Sequence, residues 1–237
     1  MSDIAEFDPN KKIIEYQFSQ RVGPLASMSV KKFADETSME SPAPGGGSVA
    51  ALAGSMGAAL IAMVANLTIG KKGYEAVSEE LKEVALQAQN LKDELLRAID
   101  RDTEAFNSVM DACRLPKKND EQKAQRENAI QEATKQAALV PLQVMKVTES
   151  VLGQAQIIAE KGIDRAASDA GVAALMARAC GEGAYLNVKI NLKGIEDKEF
   201  NEKTLTDAER LLTLIRISER NVLDIVEKRM TDENQLL

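Results

Sequence analysis

The sequence predicts an all-α fold, a single-domain bundle of five or six helices around a long central helix rich in small residues. Three observations carry this expectation. Strict alternation of apolar and polar residues, the mark of a half-buried strand, is nearly absent. Apolar residues recur instead at steps of three and four over long windows, the spacing that gathers them on one face of a helix. The segment from Val49 to Ile69 carries no charge and is filled with Ala, Gly and Ser. Such a helix suits burial on every side, because small residues let neighbouring helices approach closely.

Residues 1–28 are weakly patterned, with Pro9, Gly23 and Pro24 as punctuation, and are expected to form an N-terminal extension to a domain over 29–237. Ser29 is suited to cap a short helix reaching Thr37. The apolar segment follows Pro42-Ala-Pro-Gly-Gly-Gly-Ser48 directly and ends near Gly70. A long helix is then expected from Ser78, where Ser-Glu-Glu-Leu joins a capping hydroxyl to acidic residues in the first turn, as far as Cys113. Beyond the turn Arg114-Leu-Pro-Lys-Lys-Asn-Asp120, another helix runs from about Glu121 to Lys161, with a kink expected at Pro141. Ser168 or Asp169 would cap a helix to about Leu192, and Asp197 or Thr204 would open the last one, to about Met230. The chain shows no internal repeat.

Composition narrows the chemistry. The 237 residues carry a net charge of −7, few aromatics and no Trp, which argues against a basic, stacking surface for nucleic acid. Val49 to Ile69 is long enough to span a bilayer, but its small residues, its weak flanking charge bias and the amphipathic remainder of the chain argue against a membrane partner. Two cysteines are too few for a disulfide scaffold, and the first residues show no basic stretch leading into an apolar one, so the cytosol is the expected compartment. There is no histidine. Serine–histidine and cysteine–histidine nucleophile pairs are therefore excluded, along with the commonest ligand of catalytic zinc, and acid–base work falls to carboxylates, lysines or tyrosines.

Two features suggest a site. Gly45, Gly46 and Gly47 can take backbone angles closed to other residues, and Ser48 is a preferred N-cap, so amides would converge on a helix start that favours a carboxylate, a phosphate or a carbonyl oxygen. A flexible linker ending in a helix cap has the same pattern. Neither a Gly-Lys-Ser/Thr loop nor GxGxxG is present, which disfavours nucleotides. The second feature is Asp102. Along the helix from Ser78 the residues Leu81, Val84, Ala88, Leu91, Leu95, Ile99, Phe106, Val109 and Cys113 step by threes and fours, apart from one gap of seven that Asp102 fills. Its carboxylate therefore points along the buried stripe, where desolvation raises its pKa toward the range useful to a general acid–base. A buried aspartate satisfied by a helix cap or a lysine reads the same way. Asn187 and Asn191, one turn apart, could hold a planar heterocycle or join a buried polar network. Lys71-Lys72 and Arg114-Leu-Pro-Lys-Lys118 are the local basic clusters, each also explicable as a solvated helix end.

These residues carry a resemblance. Ser41 to Gly54, Asp100-Arg-Asp-Thr-Glu-Ala-Phe106, Arg114-Leu-Pro-Lys117, Ser168-Asp-Ala-Gly-Val-Ala-Ala174 and Gly183-Ala-Tyr-Leu-Asn-Val-Lys-Ile-Asn-Leu192 resemble, in unbroken order, the formimidoyltetrahydrofolate cyclodeaminase / methenyltetrahydrofolate cyclohydrolase family. Lys11-Lys-Ile-Ile-Glu-Tyr16 is similar to the junction found where this domain follows a formimidoyltransferase. The resemblance implies an all-α homodimer, a tetrahydrofolate derivative as substrate, polyglutamylated forms included, no metal, and a formimidoyltransferase as a separate partner. It implies an essential aspartate at Asp102 and substrate contacts from Gly45, Gly46, Gly47, Ser48, Lys117, Asp169, Asn187 and Asn191. The first reaction it implies is cyclodeamination of 5-formimidoyltetrahydrofolate to 5,10-methenyltetrahydrofolate with release of ammonia, a step of histidine degradation. The alternative is hydrolysis of the methenyl bridge, and a non-catalytic helical scaffold is the third reading.

Overall fold

The computed structural model describes residues 23–41 and 43–231, so the 11–16 segment and Pro42 lie outside the described residues. Among these described residues six α-helices follow in order: α1 (Val30–Thr37), α2 (Gly46–Thr68), α3 (Ser78–Arg114), α4 (Asp120–Lys161), α5 (Ala167–Leu192) and α6 (Lys198–Thr231). No strand occurs among the described residues, and the fold is the all-α bundle expected.

Several helix starts are written locally. Ser29 Oγ accepts from the Lys32 amide, Asn119 Oδ1 from Gln122 at 2.8 Å, and Asp197 Oδ1 from Phe200 at 3.0 Å. Three expected caps are displaced. Ser78 is already helical, because a 3₁₀ turn at Glu75–Val77 winds the chain into α3. Its hydroxyl turns back to the Tyr74 carbonyl at 3.1 Å. The turn Asp164–Ala166 does the same for α5, which leaves Ser168 and Asp169 inside its first turn. Ser48 is the third residue of α2, and Gly45 occupies the cap position.

The central helix α2 packs mainly against α3 and α5. By length and composition it could cross a membrane, yet 61% of its apolar window is buried inside the fold. Contact with α5 is close enough that a Cβ on Gly57 would lie 2.8 Å from the Ala173 carbonyl oxygen, so this crossing requires glycine. α4 continues without a break through Pro141. Proline has no N–H, which removes the intrahelical donor for the Ala137 carbonyl. Asn191 of α5 replaces it, its Nδ2 donating to Ala137 O at 2.8 Å. Residues 23–28, assigned by sequence to the extension, lie on the bundle. The Leu25 and Ala26 amides donate to Asp100 at 2.9 and 3.2 Å, and Leu25, Ala26 and Met28 pack on the core.

The apolar stripe of α3 is buried at Leu81, Val84, Ala88, Leu95 and Ile99, with Leu91 partly buried against the core. Past Asp102 it is no longer core: Phe106 is 39% exposed and, with Val109, faces a cleft.

Candidate active site

The cleft, of about 400 Å³, lies where the start of α2 meets the C-terminal half of α3, the N-terminal half of α4 and the C-terminal half of α5. Its walls include Gly45, Gly46, Gly47, Asp102, Thr103, Phe106, Thr134, Asn187, Ile190 and Asn191. Its volume falls within the range of small-molecule sites.

Asp102 sits beneath the first turn of α2. Ser48 Oγ is 2.9 Å from the Ile99 carbonyl and 3.3 Å from Asp102 Oδ2, so one hydroxyl proton is shared between two acceptors on α3. Ser48 is completely buried and is not part of the cleft wall, and its hydroxyl faces the aspartate. Burial pushes the Asp102 carboxyl above the usual aspartate range, while the Ser48 hydroxyl and then the Ser48 amide pull it back down. Burial is the larger influence. The result is a carboxyl that can both give and take a proton closer to neutrality than an exposed aspartate.

The glycine loop does not work through unusual backbone angles. Gly45 is extended, with φ −110°, Gly46 and Gly47 are helical, and the only positive-φ glycines among the described residues are Gly70 and Gly73. Gly47 is required for space: a Cβ there would land on the Asp102 carboxylate, with even the farther oxygen, Oδ2, only 2.6 Å away. At Gly46 the nearest atom to such a Cβ is Asn187 Nδ2 at 3.7 Å, an ordinary contact. The first amides of α2 have no intrahelical acceptors, and they open toward the cleft and Asp102.

Asn187 and Asn191 reach the cleft, as the sequence suggested. Lys117 and Asp169 do not line it. Lys117 is exposed in the loop beyond α3, and Asp169 precedes Asn187 by eighteen residues on α5, about 27 Å along a straight helix. Among the described residues no lysine or arginine lines the cleft, and no cluster of three potential metal ligands occurs.

Sequence reasoning missed Asp100 and Thr103. Asp100 shares the Asp-x-Asp spacing with Asp102 but points to the opposite task, pinning residues 25 and 26. Thr103 is unusual. Thr37, Thr68, Thr134, Thr148 and Thr213 each bond the carbonyl four residues back. For Thr103 that carbonyl is Ile99 O, which Ser48 already approaches, and Thr103 Oγ1 is buried without a partner.

Comparison with known proteins agrees with this architecture. The family model described as formiminotransferase-cyclodeaminase matches residues 29–210. The chain is 44% identical over 202 residues to a methenyltetrahydrofolate cyclohydrolase of Methylorubrum extorquens, covering 85% of this chain and 97% of that protein. It is 36% identical to the formimidoyltransferase-cyclodeaminase of Gallus gallus over 97% of this chain, spanning 43% of that longer protein. The solved structure of formiminotetrahydrofolate cyclodeaminase from Thermotoga maritima superposes with a TM-score of 0.78 at 32% identity, over 86% of this chain and 98% of that one. The chain belongs to the formiminotransferase-cyclodeaminase family.

Proposed function

We propose that this protein is an enzyme of folate one-carbon metabolism that works at the carbon bridging N5 and N10 of tetrahydrofolate, with Asp102 as the proton carrier. The supporting observation is a carboxyl with raised pKa, held by Ser48 under a helix start, at the wall of a cleft of suitable size.

The first reading is methenyltetrahydrofolate cyclohydrolase, favoured by 44% identity to a cyclohydrolase of nearly the same extent. This reverses the order the sequence suggested. Water adds to the methenyl carbon while Asp102 takes one of its protons. The C–N5 bond then breaks, N5 receives that proton, and the remaining hydroxyl proton leaves as the formyl C=O forms. The net products are 10-formyltetrahydrofolate and one proton. The second reading, cyclodeamination, is favoured by the Thermotoga maritima structure. There N10 attacks the formimidoyl carbon, Asp102 takes the N10 proton and passes it to the amino group, and ammonia departs as the methenyl bridge forms. Both routes use one carboxyl in both directions, without histidine.

Offering purified protein 5,10-methenyltetrahydrofolate and 5-formimidoyltetrahydrofolate separately tests this. Loss of methenyl absorbance above the uncatalysed rate supports hydrolysis, and appearance of that absorbance with ammonia supports deamination. If neither substrate changes, the proposal is overturned.

The exposed apolar side chains Met56 and Met63 of α2, and Val172, Leu175 and Leu186 of α5, lie on adjacent helices. A second copy of the chain covering them is the homodimer the family resemblance implies. Light scattering at micromolar concentration should give twice the chain mass.

A further inference from the structure

We infer that the cleft reads the uncharged, donor-bearing edge of a heterocycle through two carbonyl oxygens, Asn187 Oδ1 and Asn191 Oδ1, and leaves the anionic end of its ligand outside. The inference rests on the folate reading and assigns that substrate its orientation.

A carboxamide can offer a ligand either its donor or its acceptor end, and here the protein decides which. Asn187 Nδ2 lies 2.8 Å from the Gly183 carbonyl, and Asn191 Nδ2 lies 2.8 Å from the Ala137 carbonyl. A backbone carbonyl only accepts, so in this arrangement each amide nitrogen is turned to the protein and each oxygen away from it. For Asn191 the constraint is strong, because Pro141 deprives Ala137 O of its helical donor and the carboxamide alone replaces it. Both residues line the cleft, and neither oxygen is among the buried atoms without a partner. The wall from α5 therefore presents two acceptors one helical turn apart.

Charge points the same way. Asp102 is the one ionisable side chain lining the cleft among the described residues, and no lysine or arginine joins it. A carboxylate-bearing ligand end placed there would meet a like charge, with no cationic side chain and only the amides at the start of α2 to offset it. The 2-amino and ring N–H donors of a tetrahydropterin instead match the two acceptors, and a bound ring lacking donors would leave both oxygens desolvated and unpaired. The pterin end enters, and the glutamyl end stays in solvent beyond the rim.

Competition binding tests this on the intact protein, with 5-formyltetrahydrofolate as the reference probe. The separate halves of the folate, 6-methyltetrahydropterin and p-aminobenzoylglutamate, serve as competitors. The expected result is that the pterin displaces the probe and p-aminobenzoylglutamate does not. In Asn187→Leu, affinity for both probe and pterin should fall about ten- to a hundredfold, with an unchanged melting temperature, since Gly183 O keeps its own helical donor. Displacement by p-aminobenzoylglutamate but not by the pterin overturns the orientation, and needs no variant. Unaltered pterin affinity in Asn187→Leu removes that oxygen as the reader and overturns the inference while the folate reading stands. If the wild-type protein binds no 5-formyltetrahydrofolate, the folate reading fails and this one fails with it.

Discussion

Gly47→Ala isolates the contact on which the proposed chemistry depends. A Cβ at residue 47 would lie 2.6 Å from Asp102 Oδ2 and closer still to the rest of the carboxylate, whereas ordinary contact begins near 3.4 Å. Either the carboxyl swings away or the start of α2 lifts, by about 1 Å in either case. The 3.3 Å contact between Ser48 Oγ and Asp102 does not survive a shift of that size. Misplacing a reacting group by about 1 Å costs on the order of a hundredfold in rate, and that is the expected loss of turnover. Stability should not fall in parallel, because alanine in a helix is favoured over glycine by up to about 1 kcal/mol. Gly46→Ala is the matched control: its Cβ has 3.7 Å of clearance, so it should keep turnover within a few-fold. The assay is methenyl absorbance for turnover, with a thermal melt for each variant. If Gly47→Ala turns over like Gly46→Ala, the steric coupling between the glycine and Asp102 is wrong.

Asp102→Asn should stay folded and lose at least about a hundredfold in turnover, the lower end of what general acid–base catalysis contributes; retention of more than a tenth would show that Asp102 is structural. The folded-state pKa of Asp102 lies above its unfolded value, so the folded protein binds the extra proton and wild-type stability falls as pH rises from the usual aspartate range through the raised pKa. Melting temperatures measured across that range should show this decline in the wild type and its absence in Asp102→Asn. Thr103→Val removes a hydroxyl that makes no bond in the free protein, so its melting temperature should equal or exceed that of the wild type. Asn191→Leu leaves Ala137 O without a donor and should destabilise by about 1–3 kcal/mol in urea unfolding. In a Pro141→Ala background the restored backbone N–H should make the same change markedly less costly, and strict additivity would refute the link.

The sequence by itself determined a bundle of five or six helices and most of the boundaries of the six found among the described residues, because the steps of three and four along each segment are a local property that folding leaves intact. It also determined Asp102 as the exception in its stripe, since a carboxylate between Ile99 and Phe106 breaks the apolar pattern whatever lies opposite. Likewise, Asn187 and Asn191 could be placed on one face by spacing alone. What lies opposite is where local reading ends. Only the tertiary structure placed the start of α2 against the middle of α3, which changes Gly47 from a source of flexibility to a source of space, and Ser48 from a helix cap to a support for Asp102. The pairing of Asn191 with the carbonyl freed by Pro141 joins residues 54 apart on different helices, and no periodicity records it. Lys117 and Asp169 were attached to the site by motif, whereas the structure places Lys117 in the loop beyond α3 and Asp169 in the first turn of α5, and neither lines the cleft. Helical phase is set within a few residues, but the side chains that share a cleft are chosen by how whole helices cross, and that is a sum over the entire core.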